Sequence, residues 1–171
     1  MHQTGSADPA PAALSALKDE ELAVRTGATL LITAANGEVE AVARRVHGAS
    51  RRARFPFVRM WAGDLPNDPL MLRQTCVGLL DASPGGSVFI TDVEDMPANV
   101  QDVLVELLVE LQSTRAKSDA VRVIAGTSVS LLDRVAAGTF SERLFYRLNL
   151  IHLVVPDSAP WVATDASIPK A

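Results

Sequence analysis

Residues 87–126, SVFITDVEDMPANVQDVLVELLVELQSTRAKSDAVRVIAG, carry the pattern that decides the fold. Two short apolar runs, Ser87–Thr91 and Val121–Gly126, flank a longer segment from Ala98 to Ser113. In that segment Val100, Val103, Leu104, Leu107, Leu108 and Leu111 recur at the three- and four-residue spacing of one helical face, and Asp102, Glu106 and Glu110 form an acidic stripe. Val105 and Val109 belong to neither. They are read as covering the flank of a neighbouring element, with a subunit contact as the alternative. Buried strand, amphipathic helix, buried strand is the signature of an α/β fold.

The same alternation extends in both directions. Three further apolar runs, Thr29–Thr33, Phe57–Trp61 and Ile151–Val155, read as buried parallel strands. Helical spacing marks Ala12–Arg25, where Leu14, Leu17 and Leu22 line one side, then Glu40–Gly48, Ser130–Gly138 and a segment around Pro69–Leu80. The expected organisation is a flexible arm over residues 1–12, one α/β domain over 13–156 and a flexible, proline-bearing tail over 157–171.

With 171 residues, 48% of them hydrophobic and 21% charged, the chain has the size of one domain able to bury a core without metals or disulfides. The single Cys76 cannot form an internal bridge, and no secretory leader or membrane-length apolar run is legible, so a cytoplasmic location is expected. Sixteen basic against 20 acidic residues leave a net charge of −4, which argues against nucleic-acid binding through bulk charge. The only lysines are Lys18, Lys117 and Lys170.

Seven phrases then fall in a telling order: LLIT at 30–33, ARRVH at 43–47, SRRARFPFV at 50–58, GGSVFITDVEDMP at 85–97, VQDVLVELL at 100–108, VRVIAGTS at 121–128 and GTFSERLFYRLNLIHLVVP at 138–156. Together they resemble the AAA+ domain of sigma-54-dependent transcription activators, the bacterial enhancer-binding proteins. The most specific pieces end in Asp95-Met96-Pro97 and run through Leu144-Phe145-Tyr146-Arg147-Leu148-Asn149. The resemblance implies a three-layer sandwich around a five-stranded parallel sheet, an AAA+ (P-loop NTPase-like) core. The family's helical lid follows the position of Pro156 and is expected to be missing here.

Fold does not carry activity, so each working part implied by the resemblance must be matched to residues. In the family the first strand enters a glycine-rich loop ending in Gly-Lys-Glu, which cradles phosphates with backbone N–H groups and a lysine. Here Ala34-Ala35-Asn36-Gly37-Glu38-Val39-Glu40 stands in its place, one residue shorter, and no lysine lies between Lys18 and Lys117. Glu38 and Glu40 bring negative charge where a triphosphate would add more, so ATP and magnesium are not expected as cofactors. The vestigial loop Asn36, Gly37, Glu38 reads as a simple strand-to-helix connection. A small anion at the following helix N-terminus is a minor alternative.

The magnesium-binding acidic pair of the family is reduced to Thr91-Asp92, one carboxylate without its partner. Of the family's two arginines in the segment matching Thr139–Leu148, Ser141 replaces the first, Arg147 matches the second, and Arg143 is extra. Asp92 and Arg147 are therefore only weak catalytic positions, each with a structural alternative. Thr127 matches a polar position near the γ-phosphate. The family's sigma-contacting loop, Gly-Ala-Phe-Thr-Gly-Ala, has no counterpart between Leu70 and Gly78-Leu79-Leu80-Asp81.

Outside the resemblance, Arg44, Arg45, Arg51, Arg52 and Arg54 with His47 form a dense basic cluster that could hold phosphate or nucleic acid, or could be a solvated helix end and loop. His2, His47 and His152 are too scattered for a metal set, and no serine, histidine and acid grouping suggests a nucleophile. The expectation is a pseudo-ATPase that acts by protein–protein contact in bacterial transcription regulation, its partner a sigma-54 activator or a second copy, without membrane or direct nucleic-acid binding. The alternatives are a residual or partner-completed ATPase and a sensor of another anionic nucleotide, such as a cyclic dinucleotide.

Overall fold

The short apolar runs pair into a single parallel sheet. The three inner runs are buried along nearly their whole length, as strands covered on both faces must be. Phe57–Trp61, expected as a buried strand, is instead half-buried to exposed throughout, and Ile151–Val155 buries only Ile151 and Leu153, because these two form the edges of the sheet. In the structure, a computed structural model describing residues 11–35, 37–113 and 120–155, the strands are β1 (Leu30–Ala34), β2 (Phe57–Trp61), β3 (Ser87–Thr91), β4 (Arg122–Thr127) and β5 (Ile151–Val155). The order across the sheet is β2-β3-β4-β1-β5, every neighbouring pair parallel. The helices are α1 (Pro11–Arg25), α2 (Val39–Ala49), α3 (Pro69–Asp81), α4 (Ala98–Ser113), α5 (Leu131–Ala136) and α6 (Glu142–Leu148).

Strand periodicity of two sorts the core into two layers. Leu30, Ile32, Phe89 and Ile124 face Val39, Val42, Ala43 and Val46 of α2 together with Ala23 of α1. Leu31, Val88, Ile90, Val123 and Ala125 face the opposite layer, built from α3, α4 and α6. This is the expected three-layer α/β sandwich.

Three strands begin and end where the sequence places them. β1 and β4 are each shifted by one residue, since Thr29 and Val121 stay outside the pairing while Ala34 and Thr127 join it. α3 begins with Asp68 as its cap, whose carboxylate accepts the Met71 N–H at 2.9 Å, and with Pro69 in the first turn. The Ser130–Gly138 segment forms a shorter helix than expected, because Ser130 is its cap and Gly138 adopts φ 71 in the turn that follows. α6 and two 3-10 turns, Ala62–Asp64 and Val93–Asp95, are too short to show a periodicity in the sequence. Positions 11 and 12 of the expected arm open α1; the rest of the arm and the tail lie outside the described residues. On α4, Val105 is 4% exposed and belongs to the core cluster with Leu144 and Leu148 of α6, whereas Val109 is 41% exposed and stays outside that cluster.

Candidate functional site

In an open parallel sheet with helices on both faces, ligands meet the chain beyond the carboxyl ends of the strands. β1, β3 and β4 are neighbours there, with Thr33 in register with Thr127 and Ile90 with Ala125. The turns leaving these three strands therefore make one rim.

The first turn connects β1 to α2. Gly37 has φ 72, a left-handed conformation that glycine adopts without steric cost, and it is exposed. Glu38 is exposed and supplies no side-chain cap to α2, though its carbonyl accepts the Val42 N–H at 3.0 Å. Val39 turns inward instead and is 7% exposed. Its Cγ1 fills the space over Gly126, where an added Cβ would lie 2.4 Å away. Glu40 does not add its charge to the rim. Its carboxylate is bound by Arg44 at 2.7 Å and Arg59 at 2.9 Å, so of the two acids only Glu38 stands open. Asn36 lies outside the described residues.

The second turn leaves β3. Asp92 has φ 55 and ψ 46, the single left-handed non-glycine residue among those described. The Thr91 hydroxyl donates to its carboxylate at 3.0 Å, and its own carbonyl accepts the Asp95 N–H at 3.0 Å, closing the 3-10 turn. That turn delivers Glu94 to the end of β4, where one carboxylate oxygen accepts both the Ser128 N–H at 2.9 Å and the Ser128 hydroxyl at 2.8 Å. Thr127 is buried and engaged locally, donating to the Val129 carbonyl at 3.1 Å and accepting the Val129 N–H at 3.2 Å.

The third part lies on α6. Ser141 caps it, accepting the Leu144 N–H at 3.3 Å, and the Ser141 N–H donates to Gln101 Oε1 at 2.6 Å. The other end of that amide donates to the Met96 carbonyl at 2.7 Å, so buried Gln101 ties the start of α4 to the start of α6. Arg143 is exposed and Arg147 half-buried on this helix. Glu94 and Gln101 are the two residues that sequence reasoning missed. Each acts on a partner 34 or 40 positions away, and no local motif signals that.

The arginine cluster divides among three directions. Arg45 grips Glu20 of α1 at 2.7 Å, and Arg44 stacks over Phe57 at 4.7 Å while holding Glu40. Arg52 is 6% exposed and donates to the carbonyls of Gly85, Gly86 and Ala120, tying the α2–β2 connection to two other loops. Arg51 and Arg54 are exposed, the latter over the Phe55 ring at 5.3 Å. His47 lies buried among them. Desolvation holds its pKa below the usual value; the hydrogen bond to the Phe55 carbonyl opposes this, and the charges of Arg52, Arg122 and Arg44 add to the lowering. Burial likewise raises the Cys76 thiol. Among the described residues no three His, Cys, Asp or Glu side chains group as a metal site, and no helix is long and apolar enough to cross a membrane.

Comparison with known proteins agrees with this architecture. The sigma-54 interaction domain family matches residues 70–154. Regulatory protein AtoC of Escherichia coli is 33% identical over 169 residues, covering 85% of this chain and 36% of AtoC. The nitrogen assimilation regulatory protein NtrX of Azorhizobium caulinodans is 32% identical, covering 78% and 33% respectively. The chain thus spans about a third of the length of these curated relatives. Among solved structures, NtrX from Brucella abortus in complex with ATP superposes with a TM-score of 0.69 at 29% identity, covering 90% of this chain and 39% of that one. The P-loop NTPase domain of an E. coli sigma-54 activator, at 18% identity and a TM-score of 0.65, shares the fold over 89% of this chain. Sheet order, motif order and these likenesses converge: the chain belongs to the AAA+ domain family of sigma-54-dependent transcription activators.

Proposed function

We propose that this domain takes part in transcription regulation through contact with another protein and does not turn over ATP. One observation carries the reading: the β1–α2 turn offers an exposed Glu38 and a buried Val39, and no lysine occurs between Lys18 and Lys117. A triphosphate brought to that turn would meet a carboxylate where it needs a cation. The Thr91-Asp92 pair supports the same reading. One of its two positions is a hydroxyl already donated to the other, which makes a poor magnesium ligand set. The partner is a sigma-54 activator of the same family or a second copy of this chain, since the hydrophobic framework of the family persists without its nucleotide chemistry.

Equilibrium dialysis against labelled ATP with magnesium, combined with a phosphate-release assay, tests the proposal. No uptake and no release are expected, alone or after mixing with an activator. Tight, magnesium-dependent uptake with turnover abolished by Asp92→Asn or Arg147→Ala would establish an ATPase instead.

A further inference from the structure

At the end of β4 a backbone N–H and a hydroxyl, both from Ser128, converge on one oxygen, and that oxygen belongs to the chain itself. A main-chain N–H beside a hydroxyl is a donor pair that suits any oxyanion, and charge on the acceptor strengthens both bonds. The backbone is bent to bring the acceptor there. Asp92 accepts a left-handed conformation, and the single 3-10 turn Val93–Asp95 carries Glu94 across from β3. Such a conformation is costly for a residue with a Cβ, and it persists where the surroundings over-determine it. The other oxygen of the Glu94 carboxylate is buried with no hydrogen-bond partner among the described residues. A glutamate at a rim would ordinarily extend both oxygens into water, whereas here one oxygen holds Ser128 and the other is buried.

We propose that Glu94 is a built-in anion: its carboxylate occupies the Ser128 donor pair and excludes external oxyanions from the crevice at the ends of β3 and β4. The inference rests on the reading that the domain does not use nucleotide and supplies a cause for it on the β4 side of the rim. The neighbouring acids act differently. Asp92 is bonded to Thr91, while Asp95 and Glu38 are exposed, so each adds repulsion without holding these donors.

Inorganic phosphate is the probe. The full chain and its Glu94→Ala and Glu94→Gln variants are unfolded thermally across a phosphate titration at constant ionic strength. The Glu94→Ala midpoint is expected to rise by about 2 °C or more towards saturation, because a ligand that binds only the folded state stabilises it. The parent chain and Glu94→Gln, whose amide carbonyl still accepts from Ser128, are expected to show no rise. A folded Glu94→Ala without a rise overturns the proposal, as does a rise in the parent chain. A rise in Glu94→Gln equal to that of Glu94→Ala also overturns it, since charge rather than occupancy would then govern entry. If Glu94→Ala does not fold, hydrogen exchange of the Ser128 amide in phosphate-free parent protein decides: protection is expected, and exchange at the free-chain rate refutes the latch. Failure of the Glu94→Ala arm leaves the nucleotide-independent reading standing, whereas ATP turnover by the parent chain removes that reading.

Discussion

His47 Nδ1 lies 3.0 Å from Ser87 Oγ, and the opposite ring nitrogen lies 3.2 Å from the Phe55 carbonyl oxygen, so one imidazole joins α2, the start of β3 and the approach to β2. A carbonyl only accepts, so Nε2 carries the hydrogen and, in the neutral ring, Nδ1 accepts from the serine. The pairing is satisfied without a charge, inside a ring of arginines.

Acidification should therefore destabilise the fold. The folded pKa of His47 is depressed below the ordinary imidazole value of 6.5, so above that pH both states are neutral and nothing is lost. As pH falls below about 6.5 the unfolded chain takes up a proton that the folded chain resists, and stability declines until the folded pKa is passed. His152, also depressed by burial and opposed by Asp19, contributes in the same direction. Urea midpoints at pH 7.5 and 5.5 should differ less in His47→Gln than in the parent. An unchanged difference would show that His47 is not the sensor.

Replacing Gln101 by Leu should cost about 1–3 kcal/mol, because it leaves the Ser141 N–H and the Met96 carbonyl without their buried partner. Denaturant unfolding measures this directly. A loss below about 0.5 kcal/mol would mean that water replaces the amide at the α4–α6 junction.

At Asp92 the left-handed backbone sets an order of variants. Asp92→Gly and Asp92→Asn should be better tolerated than Asp92→Ala by about 1 kcal/mol, since glycine and asparagine accept φ 55 at lower cost. The same chemical-denaturation series checks it, and an alanine variant as stable as the glycine variant contradicts the assigned conformation.

Gly126→Ala places a Cβ 2.4 Å from Val39 Cγ1 and should cost about 1–3 kcal/mol through overpacking. Val39→Ala removes that methyl and should recover part of the loss, giving a double variant more stable than the sum of the two single changes implies. Strict additivity would show that α2 moves away from the sheet freely.

The inner strands β1, β3 and β4 are legible because they are buried on both faces, which turns a local apolar run into a reliable mark. The edge strands β2 and β5 show as apolar runs although one is only half-buried and the other alternates buried with exposed residues. The one-residue shifts at β1 and β4 arise where Ala34 and Thr127 extend the runs with residues whose own strand signal is weak. α6 escaped notice because seven residues show less than two full helical turns, although Ser141 and Glu142 provide its cap and an acidic first turn. At the rim, the missing lysine and the Thr91-Asp92 pair were visible as letters. The Glu94–Ser128 and Gln101–Ser141 bonds were not, since each joins residues that only the crossovers bring together.

Sequence alone determined that this is a parallel α/β domain whose first turn holds acids and no lysine, for burial pattern and residue identity are local properties. Tertiary structure decided what the charges do. Arg52 faces inward to three carbonyls while Arg44 and Arg59 neutralise Glu40, and Glu94 is drawn in to Ser128. The reason is that a charge acts through distance and solvent exposure, and both are set by how separate elements pack.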